Sequence, residues 1–211
     1  MSMLIAIVGG SGAGKTTFAR HLQSLLGEDR CVMLSEDNYY RSDAGKNGDF
    51  DELRDFDNAV LRRHLGRLRA GLRVEEPRYD FAAHHRAHDH FRIEPRSYVI
   101  VEGLYLLADP RLRDLFDYRV YIDVDPDVRL ARRLLRDNVW EKRLGAEPLE
   151  AQILAYLANV KPKYDTMILP ARRYADLIVS NNGDLQTALA EFDARIRTSR
   201  LMKEASRAHH A

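Results

Sequence analysis

The sequence holds one cysteine, Cys31, and no run approaching the roughly 18 apolar residues needed to cross a bilayer. A lone cysteine excludes an intrachain disulfide framework and suits a reducing compartment. The chain opens directly on an apolar strand pattern, without the charged segment and apolar stretch of a secretory leader. Charge of one sign is missing as well. The 33 basic and 32 acidic residues leave a formal net charge of +1, so the balance gives neither a nucleic-acid stripe nor an acidic tail. Internal repeats, low-complexity tracts and linkers are also absent. A soluble, cytoplasmic protein with no nucleic-acid or membrane partner is expected. Its 211 residues can bury the core of a single α/β domain carrying an inserted lid.

What is present is concentrated near the start. Gly9-Gly10-Ser11-Gly12-Ala13-Gly14-Lys15-Thr16-Thr17 fits G-x-x-x-x-G-K-[ST], following an apolar run at 4–8 and opening an apolar-periodic segment at 18–26. Glycines there let successive backbone N–H groups turn inward on an anion, and the helix start points its positive end at the same place. The Lys15 ammonium can reach β- and γ-phosphates, and the Thr16 hydroxyl can serve Mg²⁺. The dinucleotide pattern G-x-G-x-x-G does not fit these residues, so a nucleoside triphosphate, ATP or GTP, is the expected ligand. An N-K-x-D guanine reader and a D-x-x-G segment are both absent, which weighs against a GTP-driven switch.

A second apolar run at 31–34 ends in Ser35-Glu36-Asp37. In open parallel sheets ligands bind at the carboxyl ends of strands, so Asp37 falls beside the phosphate loop. There it can orient or deprotonate an attacking hydroxyl, cap a helix, or bind Mg²⁺ indirectly. The strongest strand signal, 98–101, ends in Glu102-Gly103. An apolar strand with a terminal acid, paired with a phosphate loop, makes Glu102 a Mg²⁺ ligand beside Thr16.

The stretch 38–57 sets Tyr39, Tyr40, Phe50 and Phe56 among Asp and Arg, suiting a polar ligand with a flat face. Residues 58–70 read as an ordinary amphipathic helix. Segments 72–81 and 90–94, divided by 82–89, suggest a hairpin-like insertion containing His84, His88 and His90. Those histidines fit no zinc spacing, so ligand contacts or solvated loop residues are the simpler reading. A strand at 118–124 leads through Pro126 into a helix over 127–136, where Arg129, Arg132, Arg133 and Arg136 surround Leu130, Leu134 and Leu135. A charged exterior explains such arginines. A lid that brings one or two of them onto a transferring phosphoryl group explains them too. The helix over 149–160 is expected to halt at Pro162. A core strand covers 177–179, the 181–184 loop could cover adenine, and a helix over 184–196 precedes a frayed tail.

With these motifs in place the chain resembles the uridine (uridine/cytidine) kinase family of the phosphoribulokinase and uridine kinase group. The likeness covers about 4–184. It includes the phosphate loop, Leu34-Ser35-Glu36-Asp37-Asn38-Tyr39-Tyr40-Arg41, Phe50-Asp51, Tyr79-Asp80-Phe81 with His84 and Arg86, Val101-Glu102-Gly103, the Arg132-Arg133 to Arg136-Asp137 helix, Val160-Lys161-Pro162 and Arg173-Tyr174-Ala175-Asp176. The resemblance implies an α/β P-loop NTPase fold, three-layer α/β/α with a mostly parallel sheet. A substrate-side insertion at about 72–94 and a helical lid at about 132–148 sit within the single domain. It further implies Mg²⁺-dependent transfer of the γ-phosphoryl of ATP or GTP to the 5′-hydroxyl of a small-molecule nucleoside acceptor, uridine or cytidine. On this resemblance Asp37 looks like the catalytic base, Asp51 a ribose-hydroxyl acceptor, and Tyr79 and His84 readers of the pyrimidine edge. Phe50 and Phe81 would line the base pocket, Arg133 would face the substrate, Arg136 would serve the lid and Asp184 would contact the nucleotide. The chain departs from the family at Glu141-Lys142-Arg143-Leu144-Gly145, and at Ala155, where the family carries a substrate-side glutamine. Another hydroxyl metabolite, such as ribulose 5-phosphate or pantothenate, is the alternative acceptor, and homo-oligomer formation is left open.

Overall fold

The structure is a computed structural model that describes residues 1–42, 44, 52–80, 83, 85–140 and 148–207. Five strands form one parallel sheet in the order β2–β5–β1–β6–β7: β1 Met3–Val8, β2 Cys31–Ser35, β5 Tyr98–Gly103, β6 Tyr118–Asp123 and β7 Leu177–Ser180. Strands β3 Val74–Asp80 and β4 His85–Ile93 pair antiparallel as a separate ribbon.

Alternation along the strands builds two cores. Leu4, Ala6, Val8, Val99 and Val101 face one side, where Leu61, Leu65 and Leu68 pack on them. These leucines belong to helix α2, Asn58–Arg69, which is capped by the Asp57 carboxylate. Ile5, Ile7, Tyr98 and Ile100 face the other side, against Phe18, Ala19 and Leu22 of helix α1, Lys15–Leu26. Near-continuous apolar runs on β1 and β5 are what a parallel strand buried on both faces requires. The three layers expected from the sequence follow from this two-sided burial.

The chain leaves β1 toward β2 and later returns to β6 on β1's other side. The carboxyl end of β1 is therefore the point where strand order reverses, the place at which open α/β sheets bind ligands. Residues 9–14 span it.

Three expectations change. The hairpin's second strand starts at His85 rather than His90, because Pro77 breaks the ladder with a register shift and the strands pair again at Tyr79 with Arg86. The helix at 149 does not halt at Pro162: Leu149–Ala155, Tyr156–Val160, Lys161–Lys163, Tyr164–Ile168 and Leu169–Ala171 run on as consecutive helical segments. Two of these are π-helical, and the wider turns, in which the Thr166 hydroxyl also bonds the Pro162 carbonyl, accommodate prolines that lack an N–H. The tail is helical over Arg200–Arg207, anchored by buried Leu201 in the second core. The last long helix, α5, spans Leu185–Thr198; α3, Pro126–Leu135, and α4, Leu149–Ala155, precede it. No helix among the described residues is long and apolar enough to cross a membrane.

Phe192 of α5 is fully buried and meets Phe18 of α1 edge to face at 5.4 Å. Phe192→Ala should lower the unfolding free energy by about 3–5 kcal/mol in urea denaturation. A loss below about 1 kcal/mol would mean that this second core does not hold α1 and α5 to the sheet.

Candidate functional site

Helix α1 springs from Gly14, whose left-handed backbone (φ 92°) is open to glycine at little cost. Lys15 lies at its first turn and donates from Nζ to the Gly10 carbonyl at 3.3 Å, spanning the loop that precedes it. Other segments brace the same loop. Buried Asn181, just after β7, donates from Nδ2 to the Ala13 carbonyl (3.0 Å), and Arg133 of α3 donates from Nη1 to Ser11 Oγ (3.0 Å). Thr16 and Thr17 are exposed at the mouth. Residues 9–14 of the sequence motif thus form the loop at the sheet's carboxyl edge, and Lys15, Thr16 and Thr17 form the first turn of α1.

Thr16 and Glu102 line one cavity of about 450 Å³, together with Ser35, Asn38 and Glu76. Register explains this. Ser35, the last residue of β2, is the partner of Glu102 on β5, and its hydroxyl donates to Glu102 Oε1 at 2.8 Å. Oxygen donors alone, a hydroxyl and a carboxylate held by a second hydroxyl, suit a hard cation such as Mg²⁺.

Two buried acids escaped the sequence reading. Glu36, fully buried, accepts through Oε2 from the backbone N–H of Leu104 (2.6 Å) and Tyr105 (2.9 Å), tying the turn after β2 to the turn after β5. Burial pushes its carboxyl up to about 8, with the Asp37 charge adding to the rise while Tyr105 N–H, Leu104 N–H and Lys15 oppose it. Glu76 on β3 accepts through Oε1 from Ser35 N–H (3.1 Å) and Asn38 Nδ2 (3.2 Å). Burial lifts it to about 7, and the neighbouring Glu102 charge contributes. The adjacent acids Glu36-Asp37 were a readable signal. Glu76 could be suspected only once the strand's inward face was known.

Asp37 lies half-buried on the short helical turn Glu36–Tyr39, directly after β2. Both its charge and that of Lys15 act on Glu36, so the candidate base, the buried acid and the loop lysine form one electrostatic neighbourhood.

The flat-ligand expectation meets an aromatic wall. Tyr40 lies 4.2 Å from Phe56 and 5.2 Å from Tyr79 between ring centroids, and Phe56 lies 5.6 Å from Tyr105. Tyr79 is buried within it, and its phenol is raised by burial. Arg86 of β4 pins the ribbon to this wall, donating to the carbonyls of Tyr40 (2.7 Å) and Tyr39 (3.1 Å) and pairing with Asp57 (3.5 Å). Phe50, Asp51, Phe81, His84 and the segment 141–147 lie outside the described residues. His88 and His90 sit exposed on β4, and among the described residues no group of three His, Cys, Asp or Glu side chains is arranged to hold a metal.

Helix α3 reverses the reading based on its leucines. The face at Arg129, Arg133 and Asp137 is turned inward, while Leu135 is 45% exposed. Arg133 therefore touches the phosphate loop, where the sequence had put it on the acceptor side. Arg136 pairs with buried Asp137 through Nε (2.7 Å) and Nη2 (3.2 Å), and Arg133 Nε approaches the same carboxylate at 3.6 Å. Asp137 thus holds two arginines with one buried charge. Asn138 and Gln152 exchange amide hydrogen bonds at 2.7 and 2.8 Å, fastening the end of this helical segment to α4. Ala155, at the family's glutamine position, is exposed. Asp184 caps α5, accepting from Thr187 N–H (2.9 Å) and Oγ1 (3.0 Å).

The profile described as Phosphoribulokinase / Uridine kinase family matches residues 4–188. A protein named uridine kinase from Clostridium perfringens is 36% identical over 201 residues, covering 92% of this chain and 95% of that protein. One of the same name from Deinococcus deserti is 38% identical over 202 residues, covering 93% and 96%. Among solved structures, a D-glycerate 3-kinase from Cryptococcus neoformans var. grubii has a TM-score of 0.69 at 15% identity over 86% of each chain, a likeness of fold alone.

The raised carboxyl of Glu36 makes stability depend on pH. Between its ordinary value of 4.5 and about 8, the folded chain holds a proton that the unfolded chain has lost. That contribution is complete below the lower value and disappears as pH climbs through the upper one, and Glu76 acts in the same direction up to about 7. Glu36→Gln should flatten the decline by about one proton in slope across this window. Denaturation midpoints that fall in parallel for the variant and the wild type would show that Glu36 is not the group responsible.

Proposed function

The chain belongs to the phosphoribulokinase / uridine kinase family, and on that premise we propose that it is a nucleoside kinase. It moves the γ-phosphoryl group of ATP or GTP to the 5′-hydroxyl of uridine or cytidine. One juxtaposition carries the proposal: loop residue Thr16, the Glu102 carboxylate ending β5, and the turn bearing Asp37 meet around a single cavity. Relatives named uridine kinase that match nearly end to end supply the acceptor class.

In this reading the loop amides and the Lys15 ammonium hold the β- and γ-phosphates. Thr16 and Glu102 would bind Mg²⁺, which neutralises phosphate charge, and Ser35 keeps the Glu102 carboxylate oriented. Asp37 accepts the proton of the attacking hydroxyl at one of its carboxylate oxygens. Its neighbours suit that task. Glu36 fixes the turn through two backbone bonds and, mostly protonated below about 8, puts little competing negative charge beside the base. Arg133, on the loop, and Arg136, held by Asp137, are the cations nearest to hand for the charge that spreads over the transferring group. The aromatic wall of Tyr40, Phe56 and Tyr79 gives a base-sized acceptor a flat surface.

Two measurements test this. ATP consumption should depend on an added acceptor and be fastest with uridine or cytidine in a panel that includes purine nucleosides, ribulose 5-phosphate and pantothenate. Steady hydrolysis without an acceptor would overturn the kinase reading. Asp37→Asn should lower kcat by roughly 10²- to 10⁴-fold while leaving the ATP dissociation constant near the wild-type value. A variant retaining most of its kcat would remove Asp37 from the role of base.

A further inference from the structure

Arg129 of α3 is the largest fully buried side chain among the described residues, at 1% exposure. Its Nε donates to the Val124 carbonyl (3.0 Å), and its guanidinium stacks 3.6 Å from the ring centroid of Tyr164, whose hydroxyl in turn accepts from Tyr121 (3.3 Å). Among the described residues Nη1 and Nη2 have no hydrogen-bond partner and no carboxylate lies within ion-pair distance. Its two helical neighbours differ. Arg133 and Arg136 both have Asp137.

Arg129 packs directly beneath the phosphate loop. A Cβ built on Gly10 would stand 2.5 Å from Nη1 and 2.9 Å from Cζ, and one on Gly12 would stand 2.5 Å from the Arg129 carbonyl oxygen. A guanidinium does not give up its proton, so this charge cannot escape its burial cost by neutralising, as a buried lysine would. The Tyr164 ring offsets part of that cost. The remainder calls for an anion, and the adjoining segment is shaped to hold one.

We propose that Arg129 is a positioning residue for the phosphoryl donor. It seats the Gly10–Gly12 backbone and places an uncompensated positive charge behind it, whose counter-charge is the donor's polyphosphate. The inference rests on the reading of the loop as a triphosphate site and adds to it a cation outside the sequence motif. A purely space-filling arginine would be well matched by an apolar side chain of its size, since removing it breaks no ion pair and gives up only the Nε bond to the Val124 carbonyl and the stacking on Tyr164.

Equilibrium ATP binding and thermal melts of the full chain separate the two roles. For Arg129→Met the ATP dissociation constant should rise about tenfold, the order expected for loss of one low-dielectric charge acting on a polyanion, while the melting temperature without nucleotide falls by no more than a few degrees, the loss of the Nε bond to Val124 being set against the relief of an unpaired charge. Arg129→Lys restores the charge only while its buried ammonium stays protonated, so its ATP dissociation constant should move toward the wild-type value as pH is lowered while that of Arg129→Met does not, and KM for the nucleoside should not move in either variant. If Arg129→Met does not fold, Arg129→Gln replaces it with the same expected loss. A neutral variant that binds ATP as the wild type does, or a lysine variant as weak as the neutral one at every pH, overturns the inference. A wild-type chain whose melting temperature ATP does not raise instead overturns the triphosphate reading beneath it.

Discussion

Two hydrogen bonds hold the catalytic edge of this molecule in register: the Leu104 and Tyr105 amides donating to one oxygen of a buried glutamate. Strand order alone brings the ends of β1, β2 and β5 side by side, but it does not fix the turns that follow them. Glu36 does so. Its carboxylate fills the space over Gly103, where a Cβ would come within 2.3 Å of Oε2, so the two turns close only if residue 103 lacks a side chain. The candidate site residues flank this contact on the two segments. Asp37 follows Glu36, and Glu102 precedes Gly103. Precision at the reacting end is thus obtained from backbone amides, which are the least mobile donors a protein has.

The second constraint is charge. Acids and bases at this edge are mostly buried, and each needs a reason to be tolerated there. Glu36 and Glu76 meet the demand by holding their protons. Glu102 meets it through the Ser35 hydroxyl, and Arg133 and Arg136 through Asp137. One shared carboxylate holds Arg133 and Arg136 in place. It also leaves the guanidinium faces where a phosphate could compete for them.

The sequence was most readable where chemistry demands a contiguous pattern. The phosphate loop, the acid after β2 and the acid ending β5 each lie within a few residues of an apolar run, and periodicity locates such runs well. It failed where function is spread over a helix face. The leucines of α3 suggested the inward side, yet burial of Arg129 and Asp137 was decided by the loop across from them, which no local pattern encodes. Glu76 was hidden for a similar reason: on a two-stranded ribbon, only docking against β2 determines which face turns inward. Pro162 misled differently. Proline is a strong stop signal in a regular α-helix, but widened turns remove the conflict it creates, and nothing in residue type announces a π-helical stretch.

Of the two departures from the family pattern, the one at Ala155 lies within the described residues. Ala155 offers no hydrogen bond, and the amide one turn earlier, Gln152, exchanges both of its hydrogen-bonding functions with Asn138. α4 therefore works as a brace for the helical segment ending at 140. The candidate acceptor contacts that the structure describes lie in the aromatic wall, where Tyr79 meets Tyr40 and the ribbon is pinned by Arg86. A site that loses a polar contact on one side loses discrimination against analogues lacking the matching group. What remains on the other side is shape and a flat apolar face, features that accept a planar base readily and distinguish among bases weakly.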